Sequence, residues 1–111
     1  MNNKDLLGLK VEFVVSDPWE FGSECGTGPY KGIIRDLDQE KVLIVLDKPI
    51  LNKNIHYFVS ICSPRYQYKE IKSILDRENI AINMMLVSTN VVSFSEVGGQ
   101  TLAVIGNLKK T

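Results

Sequence analysis

Tyr30-Lys31-Gly32-Ile33-Ile34-Arg35-Asp36-Leu37-Asp38-Gln39-Glu40-Lys41-Val42-Leu43-Ile44-Val45-Leu46-Asp47 holds two β-rich runs around a polar link at Asp38-Gln39-Glu40. Branched apolar residues suit a pleated surface, and a short polar link between two such runs predicts a hairpin. The second arm is apolar at every position from Val42 to Leu46. A strand of that kind is covered on both faces, so it should be the most buried of the chain. The first arm alternates imperfectly, and a bulge near Ile33 or Ile34 would restore its phase.

Upstream, Leu9-Lys10-Val11-Glu12-Phe13-Val14-Val15 alternates well. Leu9, Val11, Phe13 and Val15 share one face, which predicts a half-buried strand. Downstream, Lys48-Pro49 is expected to end the buried strand, because proline cannot donate to a ladder. Residues 50–54 then read as a loop ending at Asn52-Lys53-Asn54, followed by a strand over Ile55–Cys62 that Ser63-Pro64-Arg65 closes. Tyr68, Ile71, Ile74, Leu75 and Glu78 recur at helical spacing, and a short helix over 67–78 follows, closed by Asn79. Ile80–Val87 returns to strand, with Ile80, Ile82, Met84 and Leu86 on one face and both Met84 and Met85 expected as core filler. Val91–Val97 and Gln100–Ile105 flank Gly98-Gly99, a pattern that predicts a two-residue hairpin.

The chain has 111 residues, 44% of them hydrophobic and 23% charged. These values predict one globular domain over 1–111, with a core that needs no metal or disulfide staple. No apolar run approaches the ~20 residues that cross a bilayer, and no signal-peptide core follows the first residues. The expected location is therefore cytoplasmic, with Cys25 and Cys62 as free thiols; a bridge between the two stays open.

Formal net charge is zero, with 13 bases and 13 acids, which argues against a broad electrostatic grip on nucleic acid. The charges are segregated, however. Residues 11–47 hold eight acids and three bases, a net of −5, while residues 48–77 hold six bases and two acids, a net of +4. Either the two sets cancel across the fold, or one acidic face selects a basic partner.

Ser16–Pro29 joins the first two strands and is much longer than the two to five residues or so of a plain hairpin link. It carries two prolines, three glycines, three acids, no base and the only tryptophan. Trp19 and Phe21, two apart, point to one side of an extended loop. With Tyr30 they form an aromatic recognition surface, or else Trp19 folds back as a plug over one barrel end. Asp17, Glu20 and Glu24 either meet a basic partner or belong to a solvated turn, and their spacing fits no calcium loop. Gly26-Thr27-Gly28-Pro29-Tyr30-Lys31-Gly32 lacks the Gly-Lys-Ser/Thr order of a phosphate loop. His56 is the only histidine. On a regular strand it shares a face with Cys62 about 20 Å away, too far for a dyad, and a partly buried strand histidine is expected. No metal site, cofactor or catalytic group is expected. The basic stretch 48–72, with Lys48, Lys53, Arg65, Lys69, Lys72 and the nearby Tyr57, Tyr66 and Tyr68, suggests an alternative nucleic-acid surface.

The fold class is therefore mainly β, a small antiparallel barrel or two packed sheets with one short helix. Residues 6–65 resemble the Src-homology-3-like small barrels, a group that includes Tudor and KOW-type modules. The resemblance rests on the strand at Leu9–Val15, the long loop, the glycine-initiated strand at Gly32-Ile33-Ile34, and the meander through Val42–Leu46 to Tyr57–Ile61. It implies a barrel-like core over 6–65, with the strand and hairpin of 80–108 either completing the barrel or forming a second sheet. The expected activity is noncatalytic binding of a basic protein or peptide through Trp19, Glu20, Phe21, Glu24 and Tyr30, in the manner of a bacterial immunity-type inhibitor.

Overall fold

A computed structural model describes residues 6–16, 26–65 and 80–111. The predicted helix over 67–78 lies outside them. Six strands alternate in direction: β1 (Lys10–Val15), β2 (Tyr30–Leu37), β3 (Val42–Asn52), β4 (Ile55–Pro64), β5 (Ile80–Val87) and β6 (Thr101–Lys110). Each pairs with the next, and β6 returns to β1, so the sheet closes into an antiparallel barrel. Closure removes the free edges that an open sheet would expose. It also settles the role of the C-terminal third. Residues 6–65 supply only four of the strands, and β5 and β6 complete the barrel.

The interior is built by strand alternation. Val11, Phe13 and Val15 of β1 are buried, as are Ile80, Ile82, Met84 and Leu86 of β5. Met85, on the other face of β5, is 36% exposed, so only one of the two adjacent methionines fills the core. Phe13 is 1% exposed, and burying such a side chain contributes about 1.5–3 kcal/mol. The bulge expected in β2 lies at Arg35: Ile34 pairs with Ile44, and the register then jumps to Asp36 opposite Leu43.

Three expectations about turns and breaks are also corrected. Pro49 does not end β3. The strand continues to Asn52, and the register shifts between Val45 and Ile50. Pro49 thus sits in an irregular stretch, where no ladder donor is required of it. The loop expected over 50–54 contracts to a tight turn at Lys53 and Asn54, whose φ values of 50° and 67° are those of a primed two-residue hairpin turn. Gly98-Gly99 do not close a two-residue hairpin. β5 pairs directly with β6 from Val87↔Thr101 to Ile80↔Leu108, so residues 88–100 form one long connection and Val91–Val97 is not a strand.

That connection has a physical reason. Leu43, Val59 and Val87 lie fully buried in a second apolar cluster, apart from the one inside the barrel, and Val91, Phe94 and Val97 pack against them. The apolar residues that mimic a strand are used to cover the outside of the sheet. This is how β3 becomes buried on both faces, as its composition predicts. A short 3-10 turn over Phe94–Glu96 is held by the Asp36 carboxylate, which accepts from the Phe94 N–H at 2.9 Å and from the Leu37 N–H at 2.9 Å. The Lys41 ammonium lies 5.1 Å from the Phe94 ring centroid.

Asp36→Ala removes the acceptor for both amides. Hydrogen bonds to a charged group contribute about 1.5–3 kcal/mol, so a loss of about 2 kcal/mol is expected in a denaturant melt. Faster amide exchange should appear at Phe94 and its neighbours, while β1 stays protected; a loss below about 0.5 kcal/mol would contradict this tie. By contrast, the Lys41–Asp38 pair at 4.0 Å joins side chains that are 45% and 48% exposed and contributes little as an ion pair. Asp38 acts mainly through Oδ1, which accepts from the Glu40 and Lys41 N–H groups at 2.8 and 2.9 Å and shapes the β2–β3 turn.

Candidate binding surfaces

Of the five residues predicted to bind, Trp19, Glu20, Phe21 and Glu24 lie outside the described residues, and Tyr30 lies within them. The structure does describe both ends of their loop. The Val15 N–H donates to the Thr27 carbonyl at 2.8 Å, tying the end of β1 to the segment entering β2. Next to it the Ser16 N–H donates to the Ile105 carbonyl at 3.0 Å, and the Asn107 side-chain amide donates to Ser16 Oγ at 3.1 Å. On the returning side, Tyr30 Oη donates to the Gly26 carbonyl at 2.8 Å, and its ring lies against Phe13 with centroids 5.5 Å apart. Tyr30 is half-buried and anchors the stem.

Glycine is required on this returning side. Gly28 has φ +107°, and an added Cβ would lie 2.9 Å from the Tyr30 backbone nitrogen and 3.1 Å from the Phe13 carbonyl oxygen. The Gly28–Pro29 peptide is cis. The chain returns to β2 close against β1. Beside the stem, a recess of about 160 Å³ on the outer face of the barrel is lined by Phe13, Val14, Pro29, Asn107, Glu12 and Lys109. The register explains its composition: Val14 pairs with Asn107, and Glu12 lies between Lys31 and Lys109.

The basic stretch 48–72 divides differently. Tyr57 points inward and is 4% exposed, so it contributes to the core. Lys48, Lys53 and Arg65 are exposed. Tyr66, Tyr68, Lys69 and Lys72 lie outside the described residues. The aromatic groups that do reach the outer face here are ones that strand alternation does not flag. His56 is exposed, not partly buried, and its ring stacks with that of Phe58, with centroids 6.3 Å apart and planes 28° apart. Leu51 lies directly opposite His56 across the hairpin and is 48% exposed.

Cys62 occupies the barrel interior, fully buried and free of any disulfide. The expectation that it shares a face with His56 fails at the β3–β4 irregularity, which interrupts the alternation between them. Burial pushes the Cys62 thiol up to about 12, against a weaker opposing effect from its hydrogen bond with Ser60. Among the described residues no three His, Cys, Asp or Glu side chains gather to hold a metal ion, and no helix is long and apolar enough to cross a membrane. Comparison with protein-family models, with curated proteins and with solved structures found no match to this chain.

Proposed function

We propose that this protein is a noncatalytic binding module, a cytoplasmic small barrel of Src-homology-3-like layout that engages a basic protein or peptide through its 16–30 loop. The observation that supports this reading most is the clamped stem. Four hydrogen bonds at Val15, Ser16, Asn107 and Tyr30 fix both ends of the loop on a closed barrel. A rigid scaffold that fixes the ends of a long connection limits the ordering cost of binding through it. In this reading Trp19 and Phe21 supply desolvated contact area, and Glu20 and Glu24 steer a basic partner. A bacterial immunity-type inhibitor, which neutralises a basic protein by covering it, is the kind of role such a module would serve.

The test replaces residues 17–25 by a glycine-serine stretch of equal length, leaving the stem untouched. The variant keeps the described stem bonds of Val15, Ser16, Asn107 and Tyr30 and is expected to melt within about 1 kcal/mol of wild type. Quantitative pull-downs from the native host should lose the specific captured protein with the variant. Recovery of the same proteins by both chains would refute the loop as the recognition element.

A further inference from the structure

We infer that the outer face of the β3–β4 hairpin is a second binding site, one that stacks a base of single-stranded nucleic acid on the His56 ring. The inference stands independently of the loop. Apolar and aromatic side chains lie on the outside of the barrel, apart from the cluster that fills its inside. Phe94, Val91 and Val97 cover part of that outer face, over Leu43, Val59 and Val87. At the hairpin, Leu51 remains 48% exposed and His56 is exposed.

The arrangement suits a flat ligand. Phe58 is half-buried and packs against the covered cluster, so its ring is supported from behind. His56 stacks on Phe58, and Leu51 sits across from it in register. The plate is therefore set before any ligand arrives, which lowers the cost of ordering it. Charge selects the class of ligand. Lys53 occupies the turn that carries the plate, and Lys48 lies on the same hairpin, with both side chains exposed. Asp47 is the only acid between residues 47 and 58. An aromatic plate on a hairpin that also carries two exposed lysines matches the base-plus-phosphate repeat of a single strand. The geometry also fits single strands better than duplex, whose bases are not free to stack on a protein ring.

The probe is a fluorescein-labelled oligothymidine of about 12 nucleotides, within the length one small barrel covers, titrated by anisotropy across a salt series. Wild type should bind at low salt and weaken as salt rises. His56→Ala should reduce affinity about tenfold, the scale of one missing base stack, with an unchanged melt. His56→Phe should restore binding. Lys48→Glu with Lys53→Glu should flatten the salt dependence by roughly 0.7 for each phosphate no longer neutralised. The inference is overturned if the oligonucleotide fails to bind at low salt. It is also overturned if His56→Ala binds as tightly as wild type, or if heparin, which has no bases, competes equally well against wild type and His56→Ala. The variant with residues 17–25 replaced should bind the oligonucleotide unchanged, which keeps failure here distinct from failure of the loop reading.

Discussion

Gly106→Ala should lose about 3 kcal/mol or more of stability, the largest effect expected of a glycine-to-alanine change among the described residues. Gly106 lies in β6 opposite Val15, where the first and last strands meet to close the barrel. A Cβ at this position would lie 2.0 Å from the Val14 carbonyl oxygen and 2.9 Å from Met84 Cε. The methionine end can move aside, but the carbonyl belongs to the backbone of β1. Relief therefore requires the β1–β6 seam to separate, and overpacking that moves backbone costs at the upper end of the usual ~1–3 kcal/mol or beyond.

Gly32 shows the same crowding on the opposite flank, between β2 and β3. Its added Cβ would meet the Val45 carbonyl oxygen at 2.5 Å and Ile44 Cγ2 at 2.6 Å. A small barrel must coil its strands tightly, and glycines at such corners let neighbouring backbones approach. Gly98 supplies the control, because a Cβ there meets nothing within 4 Å. Gly98→Ala should fall within about 0.5 kcal/mol of wild type in the same urea titration. Equal losses at Gly98 and Gly106 would show that seam packing does not set the cost, since the lower unfolded-state entropy of alanine favours the variant wherever its Cβ has room.

These glycines mark the boundary of what sequence reading delivers here. The inward faces of β1 and β5 follow from alternation at Val11, Phe13, Val15 and at Ile80, Ile82, Met84, Leu86, because a period of two reports one buried face directly. The double burial of β3 follows in the same way from its unbroken apolar run. Alternation carries no information about which distant strand pairs with which. That β6 returns to β1 is visible only in the seam itself, between Val11–Val15 and Gly106–Lys110. Two local misreadings share one cause. At Pro49 and at Gly98-Gly99, turn chemistry points to a break, but tertiary packing uses these residues otherwise. Pro49 falls in a bulge of a continuing strand, and the glycines end a connection whose Phe94 is fixed by Asp36, 58 residues away in sequence. A hydrogen bond of that reach leaves no local pattern. The exposure of His56 is hidden by the same bulge, which breaks the alternation used to place it. For the loop, the sequence shows its length, charge and tryptophan. The clamp at its stem depends on the pairing of Val15 with Thr27 and of Ser16 with Ile105, long-range contacts of the same illegible kind.

Cys62 should react with a thiol reagent about a thousandfold more slowly in the folded protein than in the unfolded chain at pH 8. The thiolate is the nucleophile, and the thiol pKa rises from 9.0 to about 12 on folding. At about pH 8 a thiol of pKa about 9 is about one-tenth ionised and one of pKa about 12 only about one ten-thousandth. Desolvation by burial is the larger cause; the 3.3 Å contact between Ser60 Oγ and Cys62 Sγ opposes it and is outweighed. The measurement uses a Cys25→Ser background, so that one thiol is followed, with and without denaturant. The same shift makes stability depend on pH. Below about pH 9 both states keep the proton and the thiol contributes no pH dependence. Between about 9 and about 12 the unfolded chain releases it while the folded chain retains it, so stability falls as pH rises, by at most about 1.4 kcal/mol per unit. Tyrosines and lysines also titrate in this range, so the comparison is between Cys62 and Cys62→Ala chains. The alanine chain should start less stable, and the gap should narrow as pH climbs through the window. Parallel pH curves for the two chains, or native labelling at the unfolded rate, would show that the thiol is not held in the dry interior between β4 and its neighbours.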